Sequence, residues 1–333
     1  MSFLLLPLSI VPLALVVPIV LHVHASYVRY YDSPPYPAPQ DVLSSAQTAD
    51  FTQLPAFSGA IPVLVYHGIN NDRDGYSVTQ RSFAAQMEML RLAGFRAISI
   101  AQYDRFQQGD MRGLPARPVL ITFDDGRLDS FRGADQVLAS EGFRATMFVI
   151  TGQIQRKNPL YLDWTELHRM ERSGRWDVQP EAYEGHLKIP VDKRGDIRPF
   201  YAMRRYLGAG GEESFADYQR RVAFDLLTLV EQFKSQAIDI HALAVPYGDY
   251  GQLDAGNDPR IVPFTLGLMR SQFDTVFVQD EHDNPPYTTA TGGGPERRWQ
   301  ARTATTPEHL YAWLRARDPG EQRSRSREAV RPR

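Results

Sequence analysis

Two adjacent carboxylates stand in the stretch Thr122-Phe123-Asp124-Asp125-Gly126, directly after the apolar run Val119-Leu120-Ile121. A branched, apolar run that stops at two acids and a glycine reads as a buried parallel strand. It would deliver its acids to the carboxyl edge of a sheet, where α/β folds keep their chemistry. Side chains alternate along a strand, but the backbone turns at its end, so neighbouring carboxylates there can take two roles. One can hold a cation while the other accepts a proton. The same Asp-Asp-Gly also fits a strand-ending turn with an aspartate capping a helix that begins near Leu128. The 333-residue chain has no cysteine, which removes disulfides and thiolate sites, so any metal must be held by His, Asp or Glu.

The elements that would position these acids alternate in type. Segments 62–66, 97–100, 119–123, 145–150, 176–179, 242–245 and 275–278 are short and β-branched or aromatic, whereas 80–92, 128–140, 164–172 and 213–233 carry apolar residues at helical spacing. Such alternation implies parallel strands joined by helical crossovers, an α/β fold, and periodicity alone fits a barrel or an open sheet equally. With 43% hydrophobic residues the chain can bury one sizeable core, and a net charge of -2 gives no reason to expect nucleic acid. Residues 3–21 form an apolar run close to the ~20 residues that span a bilayer and longer than the roughly 7 to 15 of a cleaved signal. Residues 1–25 therefore read as a membrane anchor, with a secreted form as the alternative because Val23-His24-Ala25 also fits a cleavage site. Residues 26–60, rich in proline and small polar residues, read as a linker, 61–317 as the folded domain and 318–333 as a disordered basic tail.

Four segments in order resemble the polysaccharide deacetylases, the NodB-homology group also called carbohydrate esterase family 4. They are Ile61-Pro-Val-Leu-Val-Tyr-His67-Gly68, Thr122-Phe123-Asp124-Asp125-Gly126, Ala145-Thr-Met-Phe-Val-Ile150 and Ala244-Val-Pro246-Tyr247-Gly248. The resemblance spans roughly 61–314 and is closest to the biofilm-type poly-N-acetylglucosamine deacetylases. It implies a distorted (β/α)7 barrel of the NodB-homology type. It also implies metal-dependent removal of N-acetyl groups from N-acetylhexosamine units of an extracellular or cell-wall polysaccharide. No basic residue precedes the apolar run and Arg29 follows it, which by itself favours a cytoplasmic domain; the glycan substrate implied by the resemblance places the domain on the extracytoplasmic side.

Carried over residue by residue, the resemblance makes Asp124 the general base and Asp125 a ligand of a divalent metal, zinc first among them. Trp176-Asp-Val-Gln-Pro180-Glu181-Ala-Tyr-Glu184-Gly185-His186 resembles the strand leading into the family's two metal histidines. His186 matches the second, and Glu181 stands where the first would be. Glutamate ligates zinc, but an added anionic ligand makes the cation a weaker Lewis acid. Glu181 thus reads either as a third ligand or as a solvent-facing loop residue of a catalytically inactive glycan-binding module. Tyr247 would offer its backbone N–H to the oxyanion, His67 and Arg302 would contact substrate, and neither His241 nor His309 fills the family's late histidine.

Overall fold

The computed structural model describes residues 35–52, 54, 59–253, 257–279, 287–290 and 294–317. Seven parallel strands among them form the continuous path of the main sheet: β1 (Val63–Tyr66), β2 (Pro118–Phe123), β3 (Ala145–Ile150), β4 (Trp176–Ala182), β5 (Ala242–Ala244), β6 (Thr275–Gln279) and β7 (Glu296–Gln300); a short eighth strand, Arg96–Ala97, joins it at its flank. The order of the seven is β4-β3-β2-β1-β7-β6-β5, so the first and last of these seven strands lie side by side, with Trp299 opposite Leu64. The ends of this sheet, β4 and β5, are joined through a side chain instead of a ladder. Gln179 Oε1 accepts the backbone N–H groups of His241 (2.7 Å) and Ala242 (3.0 Å), and Gln179 Nε2 donates to the carbonyl of Asp239 (2.9 Å). A buried backbone edge needs such partners, and one glutamine supplies them across the gap. The result is a nearly closed barrel, as the sequence reading expected.

Residues of β1, β2 and β3 are buried on both faces, which explains their unbroken apolar character. The interior is filled by Leu120, Phe148, Ala244 and Phe277, closed below by Ile98, Tyr103 and Phe106. Phe148 and Phe277 meet edge to face at 5.7 Å.

Two strand expectations need correction. Segment 97–100 contributes only Arg96–Ala97 at the flank of β2. Ile100 instead opens a helix, α1 (Ile100–Gln107), whose N-cap Ser99 exchanges hydrogen bonds with Gln102. The seventh barrel strand is β7, whose Glu-Arg-Arg start lacks the apolar run that marks the other strands. The helix after β2, α2 (Leu128–Glu141), begins at Arg127 without a side-chain cap, so neither aspartate of the Asp-Asp pair is spent on capping.

The expected linker is partly structured. Residues 45–50 form a helix, Gln47 Nε2 donates to Glu308 Oε1 at 2.6 Å, and Phe51 packs on Tyr311 at 5.2 Å. Among the described residues no helix is long and apolar enough to cross a membrane; the proposed anchor at 1–25 and the tail at 318–333 lie outside those residues.

Candidate metal centre and active-site cleft

Because the barrel strands are parallel, their carboxyl ends share one rim. There a cleft of about 590 Å³ is lined by His67 after β1, Asp125 after β2, Glu181 on β4, His186 and Tyr247 beyond β4 and β5, Gln279 and Gln300 at the ends of β6 and β7, and Arg302. Of the seven residues singled out in the sequence, only Asp124 is absent from the cleft's lining.

Local backbone geometry aims the ligand candidates. Asp125 and Gly126 both adopt left-handed conformations, with φ of 73° and 71°. A Cβ at Gly126 would lie 2.4 Å from the Val149 side chain, so only glycine lets the turn fold against β3. Aspartate is among the few residues that tolerate the left-handed region beside it. On β4 the register slips: Val149 pairs with Pro180 but Ile150 with Ala182, leaving Glu181 as the extra residue of a bulge. Bulges re-aim side chains next to active sites, and this one sends Glu181 inward, where it is 2% exposed. Its Oε2 accepts the Asp125 backbone N–H at 2.7 Å. The solvent-facing reading of Glu181 is therefore corrected.

Oxygen atoms of Asp125 and Glu181 and a ring nitrogen of His186 all lie within 4.8 Å of one another. His186 Nε2 is 3.3 Å from Asp125 Oδ1 and 3.7 Å from Glu181 Oε1. The two carboxyls are driven apart electrostatically. Burial raises the Glu181 carboxyl well above the usual range, and the negative charges of Asp125 and Asp124 raise it further. Burial also opposes the charge on Asp125, but the His186 hydrogen bond and the positive fields of His67, His186 and Arg127 outweigh it and bring that carboxyl down to about 2. The cluster is thus short of positive charge at Glu181. A divalent cation among two carboxylates and an imidazole would supply that charge, so the donor set fits a metal in both chemistry and electrostatics.

Tyr247, with φ of 58°, leans on the other side of His186. Its hydroxyl donates to the His186 carbonyl at 2.8 Å and lies 3.2 Å from Nδ1, and the rings are 4.5 Å apart. Burial, then the charges of Asp125 and Glu181, push its phenol up to about 12, so it keeps its proton at neutral pH. Sequence reasoning considered only the backbone of Tyr247; the side chain fixes the orientation of His186, leaving Nε2 toward the acids.

Asp124 lies just behind the cleft, 1% exposed. Arg298 grips it with both terminal nitrogens, Nη1 to Oδ1 and Nη2 to Oδ2 at 2.7 Å each, and Gln279 Nε2 donates to Oδ2 at 3.0 Å. Arg298 crosses the barrel interior, with its guanidinium 5.4 Å from the Phe148 ring centroid. Arg302, chosen in the sequence as the arginine near the last strand, follows β7 and lines the cleft with its guanidinium 5.7 Å from the Tyr76 ring centroid. The arginine that lies on the strand and meets Asp124 is Arg298, four positions earlier. The same Tyr76 ring is 5.8 Å from that of His67. Lys188 sits with its ammonium 4.9 Å from the Tyr247 ring centroid. Arg298, Gln279, Tyr76 and Lys188 carried no sequence signal beyond their type.

A second group, Asp104, His241 and Asp274, also brings ligand-type atoms together. His241 and Asp274 immediately precede β5 and β6, so this group lies at the opposite rim from the cleft.

Known proteins resemble this chain in both sequence and fold. The family model described as polysaccharide deacetylase matches residues 112–186. A Bacillus subtilis (strain 168) protein carrying the name polysaccharide deacetylase YxkH is 32% identical over 109 residues, a match covering 33% of this chain and 37% of the relative, so the chain spans little more than a third of that protein's length. A solved de-N-acetylase from Aggregatibacter actinomycetemcomitans superimposes with a TM-score of 0.65 at 17% identity, covering 76% of this chain and 99% of that one. IcaB from Ammonifex degensii gives 0.59 at 24% identity (77% and 97% covered), and the BpsB deacetylase domain from Bordetella bronchiseptica gives 0.58 at 22% (74% and 97%). The resemblance to polysaccharide deacetylases holds as the motifs implied, and the structural neighbours include solved deacetylases of the same fold.

Proposed function

We propose that this protein removes N-acetyl groups from N-acetylhexosamine units of an extracellular or cell-wall polysaccharide, using a divalent metal, zinc foremost, held by Asp125, Glu181 and His186. The observation that carries the reading is the convergence of these three donors on one rim, with a second carboxylate, Asp124, locked immediately behind them. When bound, such a cation would polarise the amide carbonyl and ease deprotonation of water. The chain's own residues supply the rest. Asp124 accepts the proton of the attacking water; its Oδ2 is the oxygen shared with the cleft-lining Gln279. The backbone N–H of Tyr247 is offered to the developing oxyanion, and the Tyr247 hydroxyl holds His186 in place. His67, Tyr76 and Arg302 form the wall against which sugar rings would lie. Residues 1–25 would anchor the chain in a membrane with the catalytic domain on the extracytoplasmic side.

Acetate release from N-acetylglucosamine oligomers in the presence of zinc tests the reading. Asp124→Asn is expected to retain the metal while acetate release falls to background, because an amide keeps the shape but takes no proton near neutral pH. Wild-type turnover in that variant would exclude Asp124 as the base. The anionic Glu181 favours a second reading, a glycan-binding module without hydrolysis. It would be identified by oligosaccharide binding to a metal-loaded protein that releases no acetate.

A further inference from the structure

Glu181 and His186 are joined by a short segment, 182–185, and the position of His186 depends on how that segment is held. Its main support comes from outside the cleft. Asp225, on helix α3 (Phe215–Ser235), is 1% exposed. Its Oδ1 accepts the backbone N–H of Glu184 at 2.5 Å and its Oδ2 accepts that of Tyr183 at 3.4 Å. The hydroxyl of Tyr201 donates to the same Oδ2. Tyr201 is itself fully buried, and its carbonyl accepts the Tyr218 hydroxyl at 2.6 Å.

The segment has no room to shift. A Cβ at Gly185 would lie 2.2 Å from the Tyr201 hydroxyl and 2.3 Å from its Cζ, so the backbone before His186 rests directly on that ring. On the other side the Tyr183 carbonyl accepts the Gly152 N–H at 3.0 Å. A carboxylate buried on a helix against a barrel is costly unless its oxygens are used. Here they go to two successive amides of the segment that carries a ligand, where packing alone would be met by an apolar residue.

We infer that Asp225, braced by Tyr201, is a positioning residue for the metal centre: it fixes the 183–185 backbone so that His186 reaches Asp125 and Glu181. This inference rests on the metal-centre reading above. Outer-shell partners of metal ligands typically change metal affinity by about 10–100-fold when removed.

The test is zinc titration calorimetry on the purified full-length chain. Asp225→Asn replaces one acceptor oxygen by an NH2 group facing Tyr183 N–H and the Tyr201 hydroxyl, and is expected to weaken zinc binding by about 10–100-fold. Tyr201→Phe, which removes only a hydroxyl, is expected to weaken it by a smaller factor. Amide hydrogen exchange at Glu184 and His186 is expected to accelerate in both. Leu229→Ala removes a buried side chain one helical turn along α3 and serves as the control: it should lower thermal stability and leave zinc affinity unchanged. Wild-type affinity, within about twofold, in both Asp225→Asn and Tyr201→Phe would overturn the inference, as would equal weakening by Leu229→Ala. If Asp225→Asn does not fold, Tyr201→Phe and Gly185→Ala decide the matter. Failure of the wild-type chain to bind zinc, or binding unaffected by His186→Ala, would instead overturn the metal centre itself and the positioning role with it.

Discussion

Arg298→Met offers the sharpest test of how the barrel holds Asp124, and it does not depend on any metal or substrate. Arg298 is 0% exposed and Asp124 1%, and they share two hydrogen bonds of 2.7 Å. Breaking a buried ion pair by removing one partner is destabilising by about 3–5 kcal/mol, because the remaining charge is left unsolvated. Gln279 would still donate one bond to Asp124 at 3.0 Å, which places the expected loss near the lower end, about 3 kcal/mol. Asp124→Asn leaves the converse problem, a buried guanidinium facing an amide NH2, and a loss of similar size follows. The double variant Arg298→Met with Asp124→Asn removes both charges, so its loss should be well below the sum of the two. Equilibrium urea unfolding of the four proteins, followed by circular dichroism, gives the coupling energy directly. Additivity of the single changes within about 0.5 kcal/mol, or a loss below about 1 kcal/mol for Arg298→Met, would refute the argument.

Asp125→Ala and His186→Ala are each expected to abolish retention of zinc, measured by plasma emission spectroscopy, with the circular dichroism spectrum unchanged, because both side chains stand at the rim and outside the core packing. Glu296 supplies a pH dependence: burial raises its carboxyl to about 7, only partly offset by a hydrogen bond with Thr288 and the charge of Arg270. A carboxyl raised in the folded state favours folding below its unfolded value and loses that contribution as pH climbs through the folded one. The difference in unfolding free energy between wild type and Glu296→Gln should therefore shift against the wild type by about 2 kcal/mol between pH 4.5 and pH 7.5, after allowance for partial solvent screening. A pH-independent difference would contradict the assignment.

What the sequence revealed follows from which forces leave a local trace. The strand ending at Asp124 was legible because burial on both faces demands a continuous apolar run, visible in Val119-Leu120-Ile121. β7 was not, because its Arg298 is buried through a charge partner 174 positions away, and nothing near 298 announces it. Segment 97–100 was misread although its correction was present: Ser99 followed three residues later by Gln102 is a capping-box pattern and marks a helix start. Gln179 closing the barrel and the bulge at Glu181 depend on strand register, which a single sequence does not carry. The ligand types at 125, 181 and 186 were readable; the burial that makes Glu181 a ligand candidate was not.

Position 181 separates two roles that one side chain performs together. Glu181 faces the candidate cation site with Oε1, 3.7 Å from His186 Nε2, while Oε2 accepts the Asp125 N–H at 2.7 Å. That amide belongs to a residue in a left-handed turn, and the Glu181 carboxylate is the acceptor it finds there. Histidine at this position restores the donor set seen in the family's motif but not the second role. An imidazole that ligates through one nitrogen carries a proton on the other, which donates and cannot accept. Glu181→His should accordingly keep the metal and persist in acetate release, since a neutral ligand leaves the cation more positive. It should also lose about 1–3 kcal/mol of stability from the orphaned Asp125 N–H. Glu181→Gln does the reverse, because its amide oxygen can still accept that N–H while the anionic donor is gone; stability should stay near wild type as zinc affinity falls. Measuring zinc affinity and urea stability side by side on the two variants resolves the roles. Parallel changes in both quantities for both substitutions would show that Glu181 acts through one interaction only, and the reading of its bulge as a device serving turn and metal at once would have to be given up.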